Sequence, residues 1–331
     1  MKKTIIGLLT GLALMSFISC KGEVESGGGS GSGGGGGSTY DIVTFGSFPQ
    51  SEKDSTVSIT SETKTVGSFT YYKGDDNEWY AELNSKYYKV EPIKWRVLTT
   101  NYDHDGNAST PGKKLLLAEN ILISCVYYSC SNVNRTISNA TIYSNNYEHS
   151  IVRAYLNGLS YQIKYDESAQ KLDETFVNKG FFQTAFTQAE QDAIATTTVI
   201  NNARSTNPDS NNKEWNNGVN QYASDTSSSD KIFLLSEQEV TKADYGFAAY
   251  NECKGDGTHN DSTRIRMTTA FAQEEGAWQS GTSGCGGVWW LRSPYYDGGN
   301  IALDVAPNGY AYSNCYVNAS NGGVVPALCL N

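Results

Sequence analysis

The sequence predicts an α+β fold of short antiparallel strands, a few helices and long loops. Its apolar stretches are brief, rich in β-branched and aromatic residues, and bounded by Gly, Pro, Asn or Ser. Helical periodicity is confined to a few windows, most of them opened by a capping residue. Asn308-Gly309, between apolar runs, is a hairpin signal because both residues tolerate positive φ.

Along the chain, YDIVTFGSF (40–48) reads as a first strand, ended by Pro49. EPIKWRVL (91–98) and KLLLAENIL (114–122) read as two more. The intervening NYDHDGNASTPG places Asp103, Asp105 and Asn107 at alternate positions, as calcium loops do. Its Gly falls at the wrong place and no twelfth-position Glu follows, so a polar turn is expected. Ser150 caps a helix over SIVRAYLNGL, with Ile151, Val152, Tyr155, Leu156 and Leu159 on one face. Thr187…Glu190 and Ser236…Glu239 are capping boxes opening two further short helices. KIFLL (231–235) reads as a strand and 267–273 as a last helix. The polar segments 202–229 and 251–262 read as long loops. Residues 288–292, 301–306, 310–317 and 324–330 favour strands.

The chain is organised in three parts. Residues 1–20 read as a secretion signal: Lys2 and Lys3 precede an apolar run, 5–15, too short to span a bilayer comfortably. Phe17-Ile18-Ser19-Cys20 resembles a relaxed lipobox, which implies that Cys20 becomes a lipidated N-terminus at the bacterial outer membrane or cell surface. Residues 21–39 form a tether, Gly and Ser only from Ser26 to Ser38, with a reach of roughly 20 Å. Residues 40–331 form the body, undivided by a second low-complexity linker. A net charge of −10 argues against nucleic acid, which favours clustered Lys and Arg. A monomer is expected. Six cysteines follow Cys20, and export permits disulfides. Cys125–Cys130, Cys253–Cys285 and Cys315–Cys329 is one of the possible pairings, and buried thiols are the alternative.

WWLRSP (289–294) and GGVVPALCL (322–330) carry a family resemblance. With FGSFPQ, EPIKWRVL, LLLAENIL, SIVRAYLNGL, FFQTAFTQAEQDAI and KIFLLSEQEV they resemble, in order, a bacterial family of uncharacterised domains with a WWLRSP…GVRPAL signature. Val325 stands where that family usually has Arg. More distantly, the layout is similar to the C-type-lectin fold, in its formylglycine-generating-enzyme-like subgroup. Treponemal variable lipoproteins, diversified by retroelements, use that fold too. The resemblance implies a ligand-displaying domain with its N-terminal strand beside its C-terminal one; fold alone does not fix function.

Retroelement diversification acts at adenines and yields no Lys, Glu, Gln, Met or Trp. The tract 295–323 lacks all five across 29 residues. The segment 120–147 lacks them across 28 and has no such role in the family, so the codon argument is permissive only. Composition adds weight: 17 of the 29 are Tyr, Ser, Gly or Asn, the palette of recognition loops. The candidate ligand-binding residues are Tyr295, Tyr296, Asp297, Asn300, Asp304, Tyr310, Tyr312, Asn314, Tyr316, Asn318 and Asn321. Asp297, Asn300, Asn318 and Asn321 are expected in loops and exposed. A two-residue Asn308-Gly309 turn places Val305 opposite Tyr312, with Tyr310, Tyr312 and Tyr316 beside Ile301, Leu303 and Val305. A longer loop or a bulge turns the tyrosines outward. Trp289 and Trp290 alternate on a strand, so one at most faces the core squarely. Arg292 is expected to pair locally.

No catalytic residues, cofactor or metal ligands are expected. His104, His149 and His259 sit in polar stretches, without metal or triad spacing. No nucleophile elbow, zinc-helix motif or phosphate loop is present. The cysteine site of formylglycine-generating enzymes does not map onto Cys285, Cys315 or Cys329. Asp256, Asp261 and Asp304 are the carboxylates an unrecognised site would use. The function expected is a lipid-anchored surface protein binding a protein or glycan. The alternatives are a structural envelope lipoprotein without a specific ligand and, less favoured, a sulfatase-modifying-type enzyme needing copper or calcium.

Overall fold

A computed structural model of the chain describes residues 40–102, 112–131, 134–137, 139–163, 172–201, 222, 227–249, 261–295, 298–311 and 313–331. Residues 1–39, where the signal, the Cys20 lipidation site and the tether are expected, lie outside them, as do most of the segments 202–229 and 251–262. Among the described residues no helix is long and apolar enough to cross a membrane.

The longest strand, β5 (Lys86–Thr99), organises an eight-stranded sheet. β1 (Ile42–Glu52) runs antiparallel along one edge of it. β4 (Trp79–Leu83) and β6 (Lys114–Ala118) share the other edge, at its start and its end. Beyond β4 lie β3 (Phe69–Gly74) and β2 (Ile59–Val66). Beyond β6 lie β21 (Ala327–Leu330) and β15 (Ile232–Phe233). Alternation in EPIKWRVL buries Ile93 and Trp95, whose indole donates to Phe45 O (2.7 Å). Pro49 does not end β1, which pairs through it with Val90. A strand bonded on one edge tolerates a missing N–H on the other.

The second sheet has five strands in the order β19-β18-β17-β20-β8: β19 (Ser313–Tyr316), β18 (Ile301–Val305), β17 (Trp289–Pro294), β20 (Gly323–Val324) and β8 (Ile123–Ser124). Small ladders join β7 (Asn120–Ile121) to β16 (Met267–Thr268), β9 (Arg135–Ile137) to β10 (Ala140–Ile142), β11 (Ser160–Ile163) to β12 (Leu172–Thr175) and β13 (Thr197–Ile200) to β14 (Ser227–Asp230). The fold is thus α+β with mostly antiparallel strands. The N-terminal strand is not beside the C-terminal one, because β5 and β6 separate β1 from β21.

Five short α-helices are described. α1 (Ile151–Asn157) starts where expected, the Ser150 hydroxyl accepting from Arg153 N (3.1 Å). α2 (Phe181–Ala185) precedes α3 (Gln188–Ala193) and α4 (Glu237–Val240), both opened by the predicted capping boxes. α5 (Ala270–Glu275) is capped by Thr269; Met267 and Thr268, expected to be helical, form strand β16 instead, paired with Asn120 and Ile121. Phe48, Phe181 and Phe271 meet between the large sheet and helices α2 and α5, at centroid separations of 5.1 and 5.7 Å from Phe48.

Both tryptophans of WWLRSP are buried, contrary to the one-faced expectation. β17 is central and covered on both faces: Trp289 donates to Arg264 O (3.2 Å), Trp290 to Cys125 O (2.9 Å). Arg292 does not pair locally. Its guanidinium reaches Leu234 O (2.7 Å) and the Glu239 carboxylate, which also accepts from the Tyr102 hydroxyl (2.6 Å) and Ser236 N (2.8 Å). Val325 is fully buried. Cys315 is disulfide-bonded, while Cys125, Cys130, Cys285 and Cys329 carry thiols, which rules out the sequential pairing.

The Glu239→Gln variant leaves the Arg292 guanidinium buried without its counter-charge and is expected to lose about 3–5 kcal/mol. Thr187→Ala at the exposed N-cap of α3 is expected to lose about 1 kcal/mol. Urea unfolding of both variants reads the difference, and equal losses contradict the burial argument.

Candidate functional site

The C-terminal hairpin is β18 and β19, with Ile301 opposite Tyr316 and Asp304 opposite Ser313. This is the register that a two-residue turn predicts. The connection is nonetheless longer: Ala306 N donates to Tyr310 O and Gly309 N to Ala306 O, both at 2.9 Å. These bonds enclose Pro307-Asn308-Gly309, with Gly309 at φ +83°. One extra residue therefore lies on the β19 side between Tyr310 and Ser313. A Cβ on Gly309 would stand 2.0 Å from Asp261 O, so only glycine fits.

The far end of the hairpin is more tightly held. Val317 N donates to Asn300 O (3.0 Å) and Tyr295 N to Ile301 O (3.1 Å). The fully buried Asn145 clamps the turn before β18: its Nδ2 donates to Gly298 O (2.9 Å) and Ile301 O (2.8 Å), and its backbone N to Gly299 O (3.0 Å). A Cβ on Gly299 would meet the Tyr143 ring at 2.7 Å; that ring packs edge-on against Tyr222, 4.8 Å between centroids.

The predicted residues separate accordingly. Asn314, Tyr316 and Asn318 are exposed, Tyr316 at 46%. On the edge strand β19, Asn314 and Tyr316 lie on an uncovered face while the disulfide-bonded Cys315 between them faces inward. Tyr295 and Asn300 are half-buried at the same end of the sheet. Asn300 and Asn321 were expected to be exposed, but backbone ties hold them half-buried, Asn321 O accepting from Trp278 N (3.1 Å). Tyr310 lies at the opposite end of the hairpin, roughly 17 Å away along a five-residue strand. Tyr296, Asp297 and Tyr312 lie outside the described residues.

Asp304 is removed from the displayed set, because β18 is covered and its carboxyl is 1% exposed. Burial pushes that carboxyl up to about 7, and the Ser313 hydrogen bond only partly opposes the shift. Half-buried Glu275 is pushed up to about 8 by the same cause, against a bond from Ser124 N (3.0 Å).

Sequence reasoning missed Asn145, Tyr143, Tyr222 and the exposed Trp278 (43%). A signal existed for the first two: they belong to 120–147, the other segment free of Lys, Glu, Gln, Met and Trp. The structure packs the two segments together. Tyr128 N donates to Val317 O (2.9 Å), Cys125 N to Gly322 O (3.1 Å) and Asn145 N to Gly299 O. Nothing local marks Tyr222 or Trp278.

Other candidate groups are dispersed. His149 is half-buried and its imidazole is held below the usual range by burial, while His104, His259 and Asp256 lie outside the described residues. Asp261 caps the turn at Thr263 (2.8 Å) and lies beside Arg264 (3.4 Å). Burial pushes the Cys329 thiol up to about 12. Among the described residues, no three His, Cys, Asp or Glu side chains are grouped to hold a metal ion.

Residues 111–331 match a family described as a domain of unknown function, DUF6273. The chain belongs to this family. No curated protein and no solved structure matches it significantly. The DUF6273 match takes in the hairpin, Asn145 and the whole five-stranded sheet, whereas β1 to β5 precede it.

Asp304 gives stability a pH dependence. The folded state keeps a proton that the unfolded chain releases near pH 4, so this contribution is complete at acid pH and lost as pH rises through about 7. Thermal unfolding from pH 4.5 to 8 is expected to show stability falling by roughly 1 kcal/mol per pH unit over that window. Asp304→Asn is expected to reduce the slope below about pH 7, with the contribution of Glu275 remaining; an unchanged slope assigns the dependence elsewhere.

Proposed function

We propose that this chain is a lipid-anchored surface protein that binds a protein or glycan ligand through the Asn300 end of its C-terminal hairpin. One observation supports the reading above the rest. Asn314, Tyr316 and Asn318 are presented outward from a strand whose inner side, turn and neighbouring strands are buried and hydrogen-bonded. A rigid frame carrying exposed Tyr and Asn lowers the entropy lost on binding, and Tyr supplies amphipathic contact area. Tyr295, Asn300, Tyr143 and Tyr222 flank them. The chemistry is recognition by aromatic area and satisfied polar contacts, with no bond made or broken.

The finer fold reading, a C-type-lectin-like domain of the formylglycine-generating-enzyme-like subgroup, belongs with this proposal. The mixture of short strands and few helices supports it, and the separation of β1 from β21 is a departure from it. Retroelement diversification of the tract is part of the same reading. Its test is the adjoining DNA: a near-copy of the 3′ end differing at adenines, beside a reverse transcriptase gene.

Packing favours a second reading, a structural envelope lipoprotein. The tract and 120–147 bury much of each other, so their shared composition also suits an internal contact. Capture decides between the two. Immobilised protein is expected to retain a reproducible glycan or host protein, and Asn314→Ala/Tyr316→Ala/Asn318→Ala to lose at least ten-fold in affinity with unfolding temperature unchanged. Retention by the triple variant removes the site, and no capture by the wild type favours the structural reading. Anchoring is tested separately: Cys20→Ala is expected to move the protein from the membrane fraction and abolish palmitate labelling.

A further inference from the structure

The N-terminal meander holds a second group of side chains that the hairpin reading does not use. β2, β3 and β4 are antiparallel, with Lys64 opposite Tyr71 and Lys73 opposite Trp79. Cross-strand partners share a face, and positions 71 and 73 lie two apart, so all four side chains fall on one side of the sheet. Their contacts agree. The Lys64 ammonium lies 4.2 Å from the Trp79 ring centroid and 5.8 Å from that of Tyr71; the Lys73 ammonium lies 4.9 Å from Trp79.

Two ammonium groups thus crowd one indole, and among the described residues neither has a carboxylate within ion-pair distance. The acidic residues of the adjacent turn are engaged elsewhere, Glu78 with Lys89 (3.3 Å) and Asp76 with the Tyr80 hydroxyl. Partial burial, and then Lys73, hold Lys64 below the usual lysine range. The ring of Tyr71 beneath is 3% exposed, and its buried hydroxyl has no hydrogen-bond partner. A pair of like charges without a carboxylate partner is unfavourable, and a ligand oxyanion set between the two ammonium groups relieves it.

We propose that Lys64, Lys73, Trp79 and Tyr71 form a binding site for an acidic sugar residue carrying one carboxylate or sulfate. The two ammonium groups take the anion. The half-buried indole offers a flat apolar wall to the sugar ring, and the buried Tyr71 ring backs the Lys64 ammonium from beneath. The net charge of −10 disfavours an extended polyanion or an anionic bilayer, whose many charges meet the acidic surface as well. A compact anion within a few ångströms of two ammonium groups feels them first, and the nearer carboxylates Asp76 and Glu78 are already engaged. The site precedes residue 111, outside the family-matched region, and is separate in sequence and strand from the hairpin.

The test is calorimetric titration of the purified protein with sodium glucuronate and with sodium sulfate at constant ionic strength, with glucose as the neutral control. Saturable glucuronate binding is expected, with glucose silent. Lys64→Met/Lys73→Met is expected to weaken binding at least ten-fold, and Lys64→Arg/Lys73→Arg to keep it within about three-fold, which separates charge from fold. Unfolding temperature checks each variant. Absence of glucuronate binding in the wild type overturns the proposal, as does equal binding by the Met double variant; sulfate binding without glucuronate overturns the sugar assignment. Asn314→Ala/Tyr316→Ala/Asn318→Ala is expected to bind glucuronate normally, so failure here and failure at the hairpin are read independently.

Discussion

The Glu239 carboxylate is the point on which the mutual arrangement of the two sheets depends. Tyr102 comes to it from the connection between β5 and β6, Ser236 from the segment following β15, and Arg292 from the centre of the five-stranded sheet. Arg292 N also donates to Leu235 O (3.0 Å), tying β17 to the same segment. A buried guanidinium has fixed donor directions and a buried carboxylate has few acceptor directions. Satisfying both leaves little freedom in how the elements that carry them approach. Buried Arg264 and half-buried Arg153 repeat the principle at other seams. Arg264 reaches Gly309 O, Val240 O and Ala248 O, and Arg153 pairs with Asp230.

With β17 fixed at the centre, the edge of the sheet has one consequence for display. β18 is covered on both faces, so Asp304 and Leu303 are interior. On β19, the edge strand, one face is left uncovered, so alternate residues emerge at Asn314 and Tyr316. The rigid centre and exposed edge are thus one arrangement seen from two sides. The Asn145 clamp extends that rigidity to the turn at Gly298–Asn300, where backbone carbonyls would otherwise face water.

The composition of the tract has a physical account alongside the genetic one. Two segments without Lys, Glu, Gln, Met or Trp lie against each other through backbone hydrogen bonds from 125, 128 and 145. Long charged side chains are poorly accommodated in such a contact, because burial costs them both solvation and rotamer freedom. Absence of these residues therefore reports packing at positions such as Val317 and Gly299. At exposed Asn314, Tyr316 and Asn318 packing does not explain it, and recognition retains its claim there.

Sequence by itself determined the features whose chemistry closes within a few residues. The starts of α1, α3 and α4 were legible because Ser150, Thr187 and Ser236 are satisfied three residues on. The strands around WWLRSP were legible from alternation and the turn from Asn308-Gly309, whereas the hairpin register stayed open between a two-residue turn and a bulge until the structure decided it. What the tertiary structure alone decided was the company each side chain keeps. It buried both Trp289 and Trp290, sent Arg292 to a partner 53 residues away, turned 267–268 into a strand by supplying Asn120, and withdrew Asp304 from the surface. Exposure on a strand is set by what covers its face, and charge pairing by what lies across the core; both are contacts between distant segments, which no local pattern encodes.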